Sequence, residues 1–251
     1  MYRFFIPSEL IEGDEVFFPA DLTHQLTRVL RLRQGDRVLV LDNSGLAREV
    51  ELHTIAKRSA QGTVRATHQG DTEPRTHLTL YAALLKGKKL DLVLQKGTEL
   101  GIVRFVPVLT QRSVLGSLDD LGDAKLDRWE AIIREAAEQS GRYFLPELSE
   151  PQLFDVALGE ARARGGLSLI PWEGEQTHSL KEALNPPDAP RPTRVNLFIG
   201  PEGGFEEDEV LNAQAYGAHP VTLGPRILRA ETAAIAAATA ILYELGDWEP
   251  R

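Results

Sequence analysis

The spacing of apolar positions changes near residue 75. Before that point they fall in short runs with strand spacing, Glu15–Phe18, Arg37–Leu41, Leu46–Ile55 and Gly62–Gln69, separated by polar turns. Asp42-Asn43-Ser44-Gly45 has the composition of a hairpin turn. One stretch differs: Leu22, Leu26, Val29 and Leu30 form a stripe along one side of a helix predicted over Asp21–Leu32. The first 75 residues therefore predict a small, mostly β domain of barrel type. Asp71-Thr72-Glu73-Pro74-Arg75, polar and containing proline, marks a boundary between residues 1–73 and 74–251.

From Leu78 onward, apolar runs alternate with helical segments. Strands are predicted at Leu78–Leu85, Val103–Leu109, Leu167–Trp172, Val195–Ile199 and Pro220–Leu223. Helices are predicted at Lys88–Leu100, Asp123–Gln139, Gln152–Arg164, near Leu180, at Glu206–Tyr216 and at Glu231–Leu245. Such alternation implies an α/β domain with a largely parallel sheet covered on both faces. Leu184–Thr193 holds four prolines and reads as an exposed loop.

Two Gly-Pro loops stand out against this pattern. Ile199-Gly200-Pro201-Glu202-Gly203-Gly204 and Leu223-Gly224-Pro225-Arg226-Ile227-Leu228-Arg229 each follow a predicted strand and precede a predicted helix. Ligands of open α/β sheets bind at the carboxyl edge of the strands, so the two loops predict two walls of one pocket. Glycine at 203 and 204 leaves backbone amides open to close approach. Glu206, Glu207, Asp208 and Glu209 crowd the next helix start and would repel a phosphate there. With no full G-x-G-x-x-G spacing and no P-loop, the pattern favours an adenosine-bearing ligand without phosphate. Arg226 and Arg229, next to the Ala-rich run Ala233–Ala240, are costly to bury unpaired and point to an anion or a carboxylate such as Glu231.

Composition narrows the class. A hydrophobic fraction of 42% and a charged fraction of 26% are ordinary for a soluble globular chain. With no cysteine there is no disulfide, thiolate metal site or cysteine nucleophile, and the six histidines show no paired ligand spacing, so no metal is expected. No signal peptide or stretch of about 20 apolar residues occurs, which makes the cytoplasm the default compartment. The net charge of −9 argues against nonspecific nucleic-acid binding, yet residues 1–75 carry 10 basic and 11 acidic groups, close to balance. Within them His24–Arg33 holds Arg28, Arg31 and Arg33 and no acid, a local patch able to meet phosphates.

The chain resembles the ribosomal RNA small-subunit methyltransferase E family, of the SPOUT class of S-adenosylmethionine-dependent RNA methyltransferases. The resemblance spans essentially the full length and is carried by Ile199–Gly204 and Leu223–Thr232. Support comes from Gln95–Gly101, Gln111-Arg112-Ser113, Ala136–Arg142, Arg3-Phe4-Phe5 and the His24 to Asp36 segment. Ala230 stands where the family usually has threonine, and Gly97 where alanine is common. The resemblance implies an N-terminal PUA-like β-barrel that helps bind RNA and a C-terminal parallel sheet with a trefoil knot. It implies a homodimer with the cofactor site near the subunit interface, and methylation of N3 of one uridine in 16S rRNA of the small ribosomal subunit.

On that basis the adenosine of S-adenosylmethionine is expected between Ile199, Gly200, Pro201, Glu202, Gly203, Gly204 and Leu223, Gly224, Arg226, Ile227, Leu228. Leu169, Ile170 and Pro171 are expected as a third wall. Arg229 and Glu231 are expected closest to the chemistry, with Glu202 or Glu231 as proton acceptor; alternatively Glu231 only holds Arg229 in place. Arg3, Arg28, Arg31, Arg112 and Arg142 are expected to contact RNA. Ribose 2′-O-methylation by the same fold, a catalytically idle RNA-binding assembly factor and a nucleotide-dependent oxidoreductase are the competing readings, the last disfavoured by the missing dinucleotide fingerprint.

Overall fold

A computed structural model describes residues 1–114, 116–187 and 190–249. The chain divides into two compact units, Met1–Glu73 with Ala137–Leu145, and Pro74–Ala136 with Pro146–Arg251. Asp188 and Ala189, within the proline-rich loop expected at 184–193, lie outside the described residues.

The first unit is built on strands β1 (Arg3–Phe5), β2 (Ile11–Glu12), β3 (Glu15–Phe18), β4 (Arg37–Leu41), β5 (Leu46–Ile55) and β6 (Ala60–Gln69). They form one sheet in the order β1-β4-β5-β6-β3-β2, in which β1 pairs parallel to β4 and the other pairings are antiparallel. Residues from both halves of the sheet, Phe4, Val16, Phe18, Val38, Val40, Val50 and Leu52, share a single core, so the sheet curls around it. The turn at 42–45 closes the β4–β5 hairpin with Asn43 at φ 66° and Gly45 at φ 84°.

Helix α1 spans only Ala20–His24, and the expected longer helix widens into π turns over Gln25–Val29. Arg31 then takes φ 58°, a left-handed conformation that ends the helix.

The second unit carries β7 (His77–Ala83), α2 (Lys89–Leu100), β8 (Arg104–Leu109), most of α3 (Asp123–Ser140), β9 (Glu147–Leu148) and β10 (Gln152–Leu153). There follow α4 (Phe154–Arg164), β11 (Leu167–Pro171), α5 (Leu180–Leu184), β12 (Arg194–Ile199), α6 (Glu207–Ala215), β13 (Ala218–Val221) and α7 (Ala230–Glu244). Its seven strands are all parallel, in the order β10-β8-β7-β12-β11-β13 with β9 beside β8. Alternate strand residues point to opposite faces, which is why these strands read as continuous apolar runs. Leu78, Leu80, Leu169, Val195 and Leu197 enter one core with α2 and α7. Tyr81, Val106, Ile170 and Phe198 enter the other with α4 and α6.

Gly97 has a packing reason. A Cβ there would lie 2.7 Å from the Phe105 ring and 2.8 Å from the Ile102 side chain, so α2 sits closer to the sheet than alanine allows.

Candidate active site

Because β11, β12 and β13 are parallel neighbours in the sheet, their carboxyl ends open on the same edge. Three loops leave that edge and enclose a cavity of about 720 Å³. Pro171 to Gln176 supply one wall, Ile199 to Gly204 the second, and Thr222 to Leu228 with Ala230 and Ala233 of α7 the third. Every residue of both Gly-Pro loops expected to bind cofactor lines this cavity, and Pro171 joins them.

Leu169 and Ile170 do not. Both are fully buried in β11, one in each core, because consecutive strand residues face opposite sides of the sheet. The third wall comes from beyond the strand end, from Trp172, Glu173, Glu175 and Gln176. Sequence reasoning passed over that stretch, whose only signal is a run of acids and glycine directly after a strand.

The glycines of the first loop are shaped by side chains. A Cβ on Gly203 would sit 3.3 Å from the Arg112 chain, and one on Gly204 would sit 2.8 Å from the Glu173 carboxylate. Gly204 also takes φ 71°, closing a turn in which its amide donates to the Pro201 carbonyl at 3.0 Å. Two of the four acids that follow are occupied with capping. Glu206 and Glu209 form the capping box of α6, and the buried Glu209 also accepts from the Gln111 amide at 2.9 Å.

Glu202 accepts from Lys89 Nζ at 2.8 Å and from the Lys86 amide at 3.1 Å. Burial works to raise its pKa, but the Lys89 bond and the backbone donors outweigh it and hold the carboxyl below its usual range. A carboxylate stabilised in this way is a weaker proton acceptor than a free one.

Arg229 and Glu231 flank Ala230, which lines the cavity, but neither lines it directly. Arg229 is the N-cap of α7, is exposed, and has no side-chain hydrogen bond or ion pair among the described residues. The Arg229–Glu231 contact of the alternative reading is therefore not formed. Glu231 is half-buried, and its Oε2 is buried without a hydrogen-bond partner. Ala230, in the usual threonine position, is buried in the first turn of α7.

The five arginines expected on RNA separate. Arg28 and Arg31 are exposed and have no ion pair among the described residues. Arg3 is half-buried, and its guanidinium fills the space a Cβ on Gly141 would need. Arg142 is 4% exposed and is paired with Glu73 at 2.6 Å, so it is a buried structural cation of the first unit. Arg112 binds Glu206 and the Gly203 carbonyl, and that hydrogen bond to Glu206 raises its pKa. Its partners are protein groups of the cavity loop.

A parallel sheet with a loop-walled cavity at its carboxyl edge, preceded by a small curled β unit, defines a class. Residues 72–242 match the RNA methyltransferase domain and residues 19–65 the RNA methyltransferase PUA domain. Among curated relatives, ribosomal RNA small subunit methyltransferase E of Synechocystis sp. is 36% identical over 92% of this chain and 74% of its own length. The Bacillus subtilis protein of that name is 30% identical over 95% of this chain and 91% of its own. This chain belongs to the ribosomal RNA small subunit methyltransferase E family.

Solved structures agree. A putative methyltransferase from Legionella pneumophila, in complex with bound SAM, superimposes with a TM-score of 0.86 at 29% identity, covering 96% of this chain and 97% of that one. A ribosomal RNA small subunit methyltransferase E from Neisseria gonorrhoeae, bound to S-adenosyl methionine, gives 0.80 at 29% identity, covering 97% of each.

Proposed function

We propose that this chain uses S-adenosylmethionine to methylate N3 of a uridine in the 16S rRNA of the small ribosomal subunit. The observation that carries this reading is the three-loop cavity, present in a chain whose structural relatives hold that cofactor. The residues fit it. A volume of about 720 Å³ suits a nucleoside-sized ligand. Ile199, Leu223 and Leu228 offer apolar wall for an adenosine, backbone groups of 200–204 and 222–224 offer its hydrogen bonds, and Arg226 is the one basic side chain on the wall among the described residues, too little for a pyrophosphate.

S-adenosylmethionine supplies an electrophilic methyl group on a sulfonium. The protein must place uridine N3 in line with that methyl and take away the N3 proton. Glu231, with an unpartnered buried oxygen beside the cavity residue Ala230, is the group we assign to the proton. Arg229, exposed and unpaired, is assigned to the negative charge left on the base. The uridine has to be unpaired or flipped before N3 is within reach. Arg28 and Arg31 are assigned to the RNA backbone, within an RNA-binding domain over residues 1–73. Residues 74–251 form the methyltransferase domain, and the compartment is the cytoplasm, where the rRNA is.

The knot and the dimer belong to the same reading. Helix α7 leaves the edge strand β13 and returns to pack on β7 and β12 at the middle of the sheet, past the β11–β12 connection whose helix α5 packs on α7. That path supports a knotted chain. Ile227 on the cavity rim is 88% exposed, and Ala236 and Ala240 leave a shallow apolar groove on the outer side of α7, which supports burial by a second copy.

The test is nucleoside mass spectrometry on small-subunit RNA from a strain lacking the gene, before and after treatment with the protein and cofactor. Appearance of 3-methyluridine is expected. A methylated ribose instead, or no new methyl group, would refute the reading.

A further inference from the structure

Three carboxylates stand on the cavity wall, and two have their charge answered within the protein. Glu202 is bound to Lys89. Glu175 closes its own turn, accepting from the Thr177 amide and hydroxyl, each at 2.6 Å, and from the His178 amide at 3.0 Å. The Thr177 hydroxyl bond, followed by these amides, takes its pKa down to about 2.

Glu173 is different. No hydrogen bond or ion pair reaches its side chain among the described residues, and the backbone on either side of it is held. The Trp172 ring fills the space that a Cβ on Gly174 would need, at 2.4 Å. The Trp172 amide donates to the Val221 carbonyl at 3.1 Å, and its carbonyl accepts from the Glu175 amide at 3.2 Å. This turn brings the exposed Glu173 side chain over the Gly203-Gly204 bend, its carboxylate 2.8 Å from where a Cβ on Gly204 would stand. Of the cations nearby, Arg112 is hydrogen-bonded to Glu206 and meets Glu173 only through space, and Arg226 lies on the wall exposed and without an ion partner among the described residues.

We propose that Glu173 is the group by which the cavity distinguishes the methyl donor from its spent product. The inference rests on the cavity binding S-adenosylmethionine, as argued above. Donor and product differ by one methyl group and one positive charge, since transfer turns a sulfonium into a neutral thioether. A carboxylate on the wall with no hydrogen-bonded cation of its own favours the charged form and has nothing to gain from the neutral one. Glu173 therefore biases the cavity toward loading with donor and toward release of product after each turnover. Glu202 and Glu175 do not contribute this preference, because their charges are held by groups that remain in place.

Isothermal titration calorimetry with S-adenosylmethionine and with S-adenosylhomocysteine tests this on the full chain. Glu173→Gln is expected to weaken donor binding roughly fivefold, the scale of a partly exposed ion pair, and to leave product binding within twofold. In the unaltered protein the preference for donor should shrink as salt rises, a measurement that does not depend on the variant folding. Equal weakening of both ligands, no change in either, or a salt-independent preference would overturn the proposal. Failure of the unaltered protein to bind either ligand would instead overturn the cofactor reading beneath it.

Discussion

Arg112 donates to the Gly203 carbonyl at 2.5 Å and to the two carboxylate oxygens of Glu206 at 2.7 and 2.8 Å. One guanidinium thus spans the glycine bend and the N-cap of α6, fixing both ends of the turn that faces the cavity. A fork of this kind cannot be reproduced by lysine. Arg112→Ala is expected to weaken S-adenosylmethionine binding roughly fivefold through loop disorder, with charge-assisted bonds lost at a partly exposed site. RNA binding measured without cofactor should stay within twofold. Filter binding and calorimetry read the two separately, and a larger loss on RNA would return Arg112 to the role its sequence context suggested.

Arg142 carries a different consequence. Its guanidinium is buried, and Glu73 Oε1 also accepts from the Tyr143 amide at 2.9 Å. Removing one partner of a buried pair leaves the other uncompensated and costs about 3 kcal/mol. Glu73→Ala and Arg142→Ala should each lower the denaturant midpoint of the first unit, and the double variant should cost less than the sum of the two. Additive losses would show that the pair is not coupled.

Glu202 makes a prediction about pH. Its folded-state pKa lies below the ordinary carboxylate value, with burial opposing and Lys89 and backbone donors prevailing. A depressed carboxyl contributes stability that is fully present above about pH 4.5 and is lost as pH falls through the folded value. Lys89→Ala removes the largest favourable contribution and leaves burial in place, so the Glu202 titration should move to higher pH. Carboxyl NMR on the two proteins would show it. An unchanged midpoint would mean that the backbone amides alone hold the charge.

Long periodic segments were the legible part of the fold. The strands at 37–41 and 46–55 and the helix starting at Asp123 follow directly from spacing. Arg3–Phe5 escaped because three residues carry no period, and its strand exists only through parallel pairing with the distant Arg37–Leu41. Gln152-Leu153 read as the start of a helix, yet they pair with Val108 and Leu109 before α4 begins. The apolar stripe through Leu30 gave no sign of π turns, and in the widened segment Leu26 stays buried while Val29 turns outward and is 64% exposed.

In the cavity, the glycine loops were visible by composition. The Trp172–Gln176 wall was not, because its role comes from where β11 ends beside β13. Arg142 was expected on RNA, just after the end of α3. Gly141 stops that helix at φ 80°, but the residue after it turns inward to Glu73.

The proton assignment is the sharpest of the predictions. Glu231 sits in the first turn of α7 beside the cavity residue Ala230, and its Oε2 is buried with no donor to satisfy it. That oxygen does not line the cavity, so the assignment requires the start of α7 to shift and bring it to the uridine N3–H. Glu231→Gln keeps the size and a carbonyl oxygen but cannot accept a proton. It should lower the rate of methyl transfer by about 10²-fold, the lower range for loss of a general base, with S-adenosylmethionine affinity within twofold. Because the base has to ionise, raising the pH should restore part of the rate in the variant more than in the unaltered protein. A variant whose rate and pH profile match the unaltered enzyme would leave Glu231 as a helix-start residue only, and would shift the proton to Arg229-assisted loss into water.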